Sequence, residues 1–415
     1  MSELDVVCYY YEPVKAGLLR QAVFPALGEA VAAGVRGHVE RHWLHGPHLR
    51  VRLRLGPGTM SAANPADGMA ASTDGRDASV DGMAAEAPDP VSALGAAAPA
   101  ELAAAAELVA DRLRGHLSRH PSTSRQTPAE LLAHSREAGR LELVAGPYEP
   151  IFPDNTVTIT PADHAPTAGL LGSAELVRLR SRVLERGMPP CRTALDQLAS
   201  DGDSAPGRIA LAITAMTVHA DEYPHGLQHG YHSFLSHVED FLTWHDPDGR
   251  VRHGLDTAWE RNREATVDLV ARIAEGHRPS AAVSAWRAWS AAARAEAGQA
   301  YDDGVLVMEL GPGYAARAAL LDDPRTARRW DPGAPREVSE YHRALRSVDF
   351  TRPPLGRSFT VYRFGTNMLY QLLAVCDVTP MERYLAASMM ARAVQQVTGT
   401  SWREQLGAPL GSVAR

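Results

Sequence analysis

Residues 46–58, "GPHLRVRLRLGPG", alternate apolar and polar positions without a slip. Leu49, Val51, Leu53 and Leu55 fall on one side, and His48, Arg50, Arg52 and Arg54 fall on the other. A period of two belongs to a half-buried strand, so the stretch predicts a strand with an apolar face and a row of guanidinium groups. Upstream, "LDVVCYYY" (4–11) is β-rich, and "VKAGLLRQAVFPALGEAVAAG" (14–34) has a helical period bent near Pro25. "VERHWLHGPHLRVRLRL" returns as strand, with Gly46-Pro47 as a turn inside it. The chain therefore opens as strand, helix, strand.

Helix resumes at "PAELAAAAELVADRLRGHLSRHPS", where Leu102, Leu108, Leu113 and Leu117 form an apolar stripe that ends at Pro121. "GRLELVAGPYEPIFPDNTVTITP" predicts two short strands around a proline-rich kink. The remainder is mainly helical, with helices predicted at 173–186, 207–222, 227–244, 256–276, 280–299, 335–347 and 379–398, and a short one near "SWREQL". Residues 301–334 hold turns and little periodicity. Strands first and helices after predict an α+β fold, a strand-helix-strand sheet part followed by a mainly helical part.

Composition changes this picture in one place. From Gly56 to about Pro99 the chain collapses into Ala, Gly, Ser, Asp, Pro and Met, with the near-repeat "DGMAAS" and "DGMAAE". So little bulky apolar surface cannot offset the entropy of ordering, so residues 58–99 are expected to be a disordered insertion within one domain spanning 1–415. The net charge of −7 gives no basic field for nucleic acid or a membrane surface. Lys15 is the single lysine. Cys8, Cys191 and Cys376 are far apart and odd in number, which fits neither a disulfide framework nor zinc spacing. An acidic N-terminus and the lack of any run of 18 apolar residues predict a cytoplasmic protein with no membrane span.

The arginine row is the first candidate for chemistry. Like charges two residues apart repel, so the row is read in two ways: a face paired to acidic neighbours, or an anion-binding wall. Arg52 lies opposite the apolar face, and its removal is expected to leave the fold intact. In "GPYEPIFPDN", Tyr148, Glu149, Asp154 and Asn155 sit on a backbone stiffened by three prolines, as a preorganised polar loop or a structural turn. His225, His229 and His232 fall at i, i+4 and i+7, but Pro224, Gly226 and Gly230 interrupt the helix and no acidic or cysteine companion follows. No metal is expected, and His229 and His232 remain candidates for lining a cleft. Asn367 and Gln371 share one helical face, where amides either satisfy backbone groups or line a pocket. Neither a serine-nucleophile elbow nor a phosphate loop is present, and no cofactor is implied.

The strand "HWLHGPHLRVRLRL", the "YEP" segment and the late "NMLYQLL…ERYLAA" stretch together resemble the C-terminal elimination domain of lantibiotic dehydratases and the related stand-alone thiopeptide biosynthesis proteins. The resemblance spans most of the chain outside 58–99. It implies a mixed α/β fold and a ribosomally made precursor peptide as substrate. A separate glutamylating dehydratase subunit and a second copy of the chain are the other partners it allows. The implied chemistry is β-elimination from a glutamylated Ser or Thr. The alternatives are pyridine-forming cycloaddition and a peptide-binding accessory role without turnover. Arg52, with Arg50 beside it, matches the arginine that holds the departing glutamate, and Asn367 stands where eliminating relatives carry histidine, with Gln371 at their asparagine. Arg50, Arg52 and Asn367 are thus the expected catalytic positions. His48, Tyr148, Glu149, Asp154, Asn155, His229, His232 and Gln371 are the expected substrate-binding ones. "IFPDN" departs from the arginine- or glycine-rich sequence that follows Tyr-Glu in those relatives.

Overall fold

The computed structural model describes residues 3–56, 98–200, 202–276, 279–308, 313–335 and 337–407. The insertion expected at 58–99 falls almost wholly outside the described residues. Among them the chain is α+β, with one antiparallel sheet near the N-terminus and helices thereafter. The sheet is built from β1 (Glu3–Tyr9), β2 (Val35–His42), β3 (His48–Leu55) and β4 (Thr156–Pro161) in the order β2-β3-β1-β4.

The alternation sorts the sheet into two faces. Leu4, Val6 and Cys8 of β1, Val35 and Val39 of β2, and Leu49, Val51 and Leu53 of β3 are buried in one core cluster. The Phe24–Ala32 and Ala100–Arg119 helices cover this face. In the second helix the buried stripe runs through Leu102, Ala106, Val109, Leu113 and Leu117, whereas Leu108 is only half-buried. Val109 is the residue that keeps the 3.6 period. Gly37 lets β2 pass close to β3, since a Cβ there would meet Leu53 Cδ2 at 2.7 Å and the Arg52 carbonyl oxygen at 2.8 Å. The bend expected at Pro25 is a π turn over Leu19–Val23 that leads into the helix bearing Pro25 in its first turn. The helical backbone runs without a break from Ala16 to Ala32, and the wider π turn accommodates a proline that can donate no hydrogen bond to the turn before it.

The structure departs from the predicted elements at several points. The first of the two strands expected in 139–161 is absent, because residues 139–142 complete the Pro128–Glu142 helix. Thr127 and Glu130 form a capping box at its start, a signal that outweighs the short "LELV" run. A Met188–Ser200 helix, hidden in sequence by Pro189 and Pro190, follows Ala174–Arg186. The 227–244 helix divides into Leu227–Gly230 and His232–His245, and that of 335–347 shrinks to Glu340–Leu345. Short helices Gly313–Ala319 and Pro324–Trp330 occupy part of 301–334. The 379–398 helix is observed as Pro380–Thr398, with Thr379 and Glu382 as its capping box.

Helices Leu355–Val375 and Pro380–Thr398 run through the interior of the helical part. The turn between them ties back to the N-terminus. Buried Asp377, at φ 61°, accepts hydrogen bonds from the Lys15 backbone N–H at 2.7 Å and from Arg41 Nη2. Cys8, Cys191 and Cys376 are buried free thiols, and no described helix is long and apolar enough to cross a membrane.

Candidate functional site

The sheet's second face carries the polar members of the alternation, and the strand register arranges them in rows. Arg36, Arg54 and Glu3 form one row; His38, Arg52, Asp5 and Thr160 the next; Glu40, Arg50, Val7 and Thr158 the third; and His42, His48, Tyr9 and Thr156 the last. Acidic residues on the neighbouring strands therefore interleave with the arginines, which offsets the repulsion along β3.

The three arginines are not equivalent. Arg54 is held at both ends by Glu185, with two contacts of 2.6 Å. Arg52 is 2% exposed and forms a bidentate pair with Asp5, Nε to Oδ1 at 2.8 Å and Nη2 to Oδ2 at 2.9 Å. Its Nη1 lies 3.3 Å from His164 Nδ1, so its fork is already committed to the protein. Arg50 differs. The nearest carboxylate oxygen, Asp5 Oδ2, is 3.6 Å away, and its buried Nε has no hydrogen-bond partner among the described residues. Arg52, the expected anion ligand, is buried and spends its fork on Asp5, whereas Arg50 beside it makes no such pair.

A second wall faces this row. Arg180, from the Ala174–Arg186 helix, donates to Glu40 Oε1 at 2.7 Å and to Gln371 Oε1 at 2.5 Å, which links the sheet to the Leu355–Val375 helix. Glu40 also meets His38 Nε2 at 2.7 Å. Burial alone would raise the Glu40 carboxyl, but the Arg180 charge and the His38 hydrogen bond hold it well below its usual range. One and two turns before Gln371 on the same helical stripe stand Asn367 and Arg363. Asn367 is half-buried, and its side-chain amide makes no hydrogen bond among the described residues. Arg363 donates to the Met308 carbonyl at 2.7 Å and has no carboxylate partner among the described residues; burial pulls its guanidinium below the usual value, with Tyr314 acting the other way.

His48, 2% exposed, rests against Gly46 O through Nδ1 at 2.9 Å, with the Tyr9 ring at 4.7 Å and the His42 ring at 5.2 Å. Burial, then the Arg50 charge, push its pKa down to about 3 and hold His42 well below its usual value. Both imidazoles are neutral near pH 7.

Over nearly the whole chain, this arrangement of sheet and helices matches solved structures, among them these two. One is a pyridine synthase, TbtD, from thiomuracin biosynthesis, with a TM-score of 0.59 and 23% identity over 96% of this chain and 99% of that one. The chain shares its fold with a pyridine synthase. The other is TsrL, with a TM-score of 0.56 and 18% identity over 98% of each chain. No protein-family model matches the sequence, and no curated protein matches it.

The remaining expected residues lie outside this face. Tyr148 donates to the Val144 carbonyl and fills the space that a Cβ at Gly139 would need. Glu149 is exposed beside Arg136 at 3.4 Å. Asp154 Oδ1 accepts from the Tyr11 and Asn155 backbone N–H groups, and Asn155, at φ 58°, accepts from Ser122 N at 2.8 Å. These contacts of Asp154 fasten the end of β1 to the start of β4. His232 sits between Tyr341 Oη at 3.1 Å and Gln405 Oε1 at 2.7 Å, with its pKa pushed down to about 4 by burial. His229 is half-buried, its ring 6.2 Å from that of His225. Among the described residues no group of three or more His, Cys, Asp or Glu side chains could hold a metal ion.

Sequence reasoning missed Asp5, His38, Glu40, Arg180, Arg363 and Tyr314. Asp5 and Glu40 were visible as lone acids in β-rich stretches, whose alternation puts them on the arginine face. Nothing local marks Arg180 among Arg178, Arg180 and Arg182; only packing selects the one that faces inward.

Proposed function

We propose that the chain matures a ribosomally made precursor peptide of the thiopeptide type by closing a nitrogen heterocycle, and that the sheet's arginine face is where the peptide reacts. The observation that carries this reading is the fold match with a pyridine synthase over nearly the full length of both chains. It supports the thiopeptide branch of the resemblance, and pyridine formation takes the place of elimination as the first reading.

The chemistry of the face agrees. An elimination removes a proton from carbon and needs a base poised near the working pH. His48, with a pKa of about 3, and Glu40, well below the carboxylate range, are poor bases, and Asn367 transfers no proton. The bond-forming step of a ring closure asks instead that two parts of one peptide be held together and that a carbonyl be polarised by fixed donors; the loss of water and of the leader that follows, each with a proton from the ring, is driven by aromatisation. The partly exposed Arg50 guanidinium and the half-buried Asn367 amide supply such donors, since neither makes a hydrogen bond to a protein acceptor among the described residues.

The test is mass spectrometry of a dehydrated, leader-bearing thiopeptide precursor after incubation with the protein. The expected product has a new aromatic ring and has lost one water and the leader, which departs as its amide. Loss of glutamate with formation of an alkene would restore the lyase reading, and tight binding without any mass change would make the chain an accessory subunit.

A further inference from the structure

β4 ends the sheet on one side, and its register settles which backbone groups point outward. Glu3 of β1 accepts a hydrogen bond from Ala162 N at 3.0 Å, so the Glu3–Ala162 pair is hydrogen-bonded. Counting along the antiparallel ladder in steps of two, Thr160, Thr158 and Thr156 turn their N–H and C=O groups toward Asp5, Val7 and Tyr9. Val157 and Ile159 then direct theirs away from the sheet. These outward groups have no hydrogen-bond partner among the described residues. Among helices and strands, β1 alongside and the Ala100–Arg119 helix beneath pack most closely on β4, and Thr160 and Pro161 at its end are exposed. Pro161 closes the edge at its C-terminal end because it has no N–H.

We propose that this edge receives an extended segment of the substrate peptide as a fifth strand. The proposal rests on the peptide-maturation reading above and adds a docking mode to it. Unpaired strand-edge N–H and C=O groups recognise extended backbone whatever its side chains. The length favours a single peptide over a second copy of the chain. Six residues span roughly 20 Å, and pairing two such edges falls well short of the roughly 1,600 Å² that a stable dimer buries. The edge is also continuous with the candidate site, since Thr158 shares its row with Val7 and Arg50. A fifth strand would lie about 14 Å from β3, three inter-strand spacings, so a few further residues reach Arg50. Residues opposite Val157 and Ile159 would fall on the face of the sheet's core, which selects apolar side chains there and leaves polar ones beside Thr158.

Backbone hydrogen exchange tests this on the full chain, with a synthetic twelve-residue peptide of alternating valine and threonine as probe at up to millimolar concentration. The expected result is at least tenfold slower exchange at the Val157 and Ile159 amides, with Thr158 and Thr160, already paired to β1, unchanged. Ile159→Pro removes one outward donor without touching the β1 ladder and should abolish the protection at Val157. Unchanged rates at Val157 and Ile159 in the wild type would overturn the proposal. So would amides already protected without peptide in a protein of dimer mass, which would assign the edge to a second copy. A wild type that shows peptide-dependent protection but converts no precursor would leave the docking edge standing and refute the functional reading.

Discussion

Replacing Arg52 by alanine should unfold the protein more readily, although its side chain lies on the polar face of the sheet. Arg52 and Asp5 are 2% and 4% exposed and are joined by hydrogen bonds of 2.8 and 2.9 Å. Removing one member of such a buried pair costs about 3–5 kcal/mol, because the other charge is left desolvated and unpaired. Arg50, 3.6 Å from the same carboxylate, can close the gap and recover part of that as a charge-assisted hydrogen bond. The expected loss is therefore about 3 kcal/mol, at the low end of the range. Urea denaturation followed by circular dichroism measures it. The double replacement Asp5→Leu with Arg52→Met removes both charges and should return most of the loss, as apolar substitutes for buried ion pairs often do. An Arg52→Ala protein within about 1 kcal/mol of wild type would refute the buried-pair account, since that is the scatter of ordinary surface changes.

Arg50→Ala should leave stability within about 1 kcal/mol of wild type, yet lower precursor conversion at least tenfold, since one charge-assisted contact contributes roughly 1.5–3 kcal/mol; Arg50→Lys should restore only part of it, as read by product mass against time. Conversion should show no inflection between about pH 5 and 8, because His42 and His48 stay neutral throughout, and a rate profile breaking near pH 6.5 would contradict this. Lys15 is buried, which pulls its pKa from 10.5 down to about 7, so between those values the unfolded chain binds more protons than the folded one. Stability from Lys15 is full above pH 10.5 and is lost as pH falls toward 7; Lys15→Met should flatten the rise that wild type shows between pH 7 and 8.5 in urea midpoints. Thr127→Ala should cost about 1 kcal/mol by opening the capping box of the Pro128–Glu142 helix, measured the same way.

Alternation made the sheet legible, because a period of two separates Leu49, Val51 and Leu53 from His48, Arg50, Arg52 and Arg54 whatever the rest of the chain does. The long helices were legible for the same reason, through their 3.6-residue stripes. Local rules failed where two signals competed, as in 139–142, where a capping box twelve residues upstream decided the outcome. In the site, sequence located the arginine row but not the difference among its members. That difference depends on Asp5, Glu185 and Glu40, which the fold brings to the arginines from other strands and from a helix more than a hundred residues away. The Tyr148 to Asn155 loop stayed open between two readings because polar groups that hold a turn together have the same composition as polar groups that hold a ligand.

The knot at Asp377 sets an order on synthesis. Its carboxylate partners are Lys15 and Arg41, the latter 336 residues earlier in the chain. At about 5–20 residues per second, a ribosome takes roughly 20–70 s to cover that span. Throughout it the end of β2 and the start of the first helix wait without their shared anchor, and β2 lacks the late helix that flanks it. The N-terminal sheet is therefore the part made first and finished last, and a chain stopped short of residue 377 leaves the ribosome with that strand edge still open to the wrong partner.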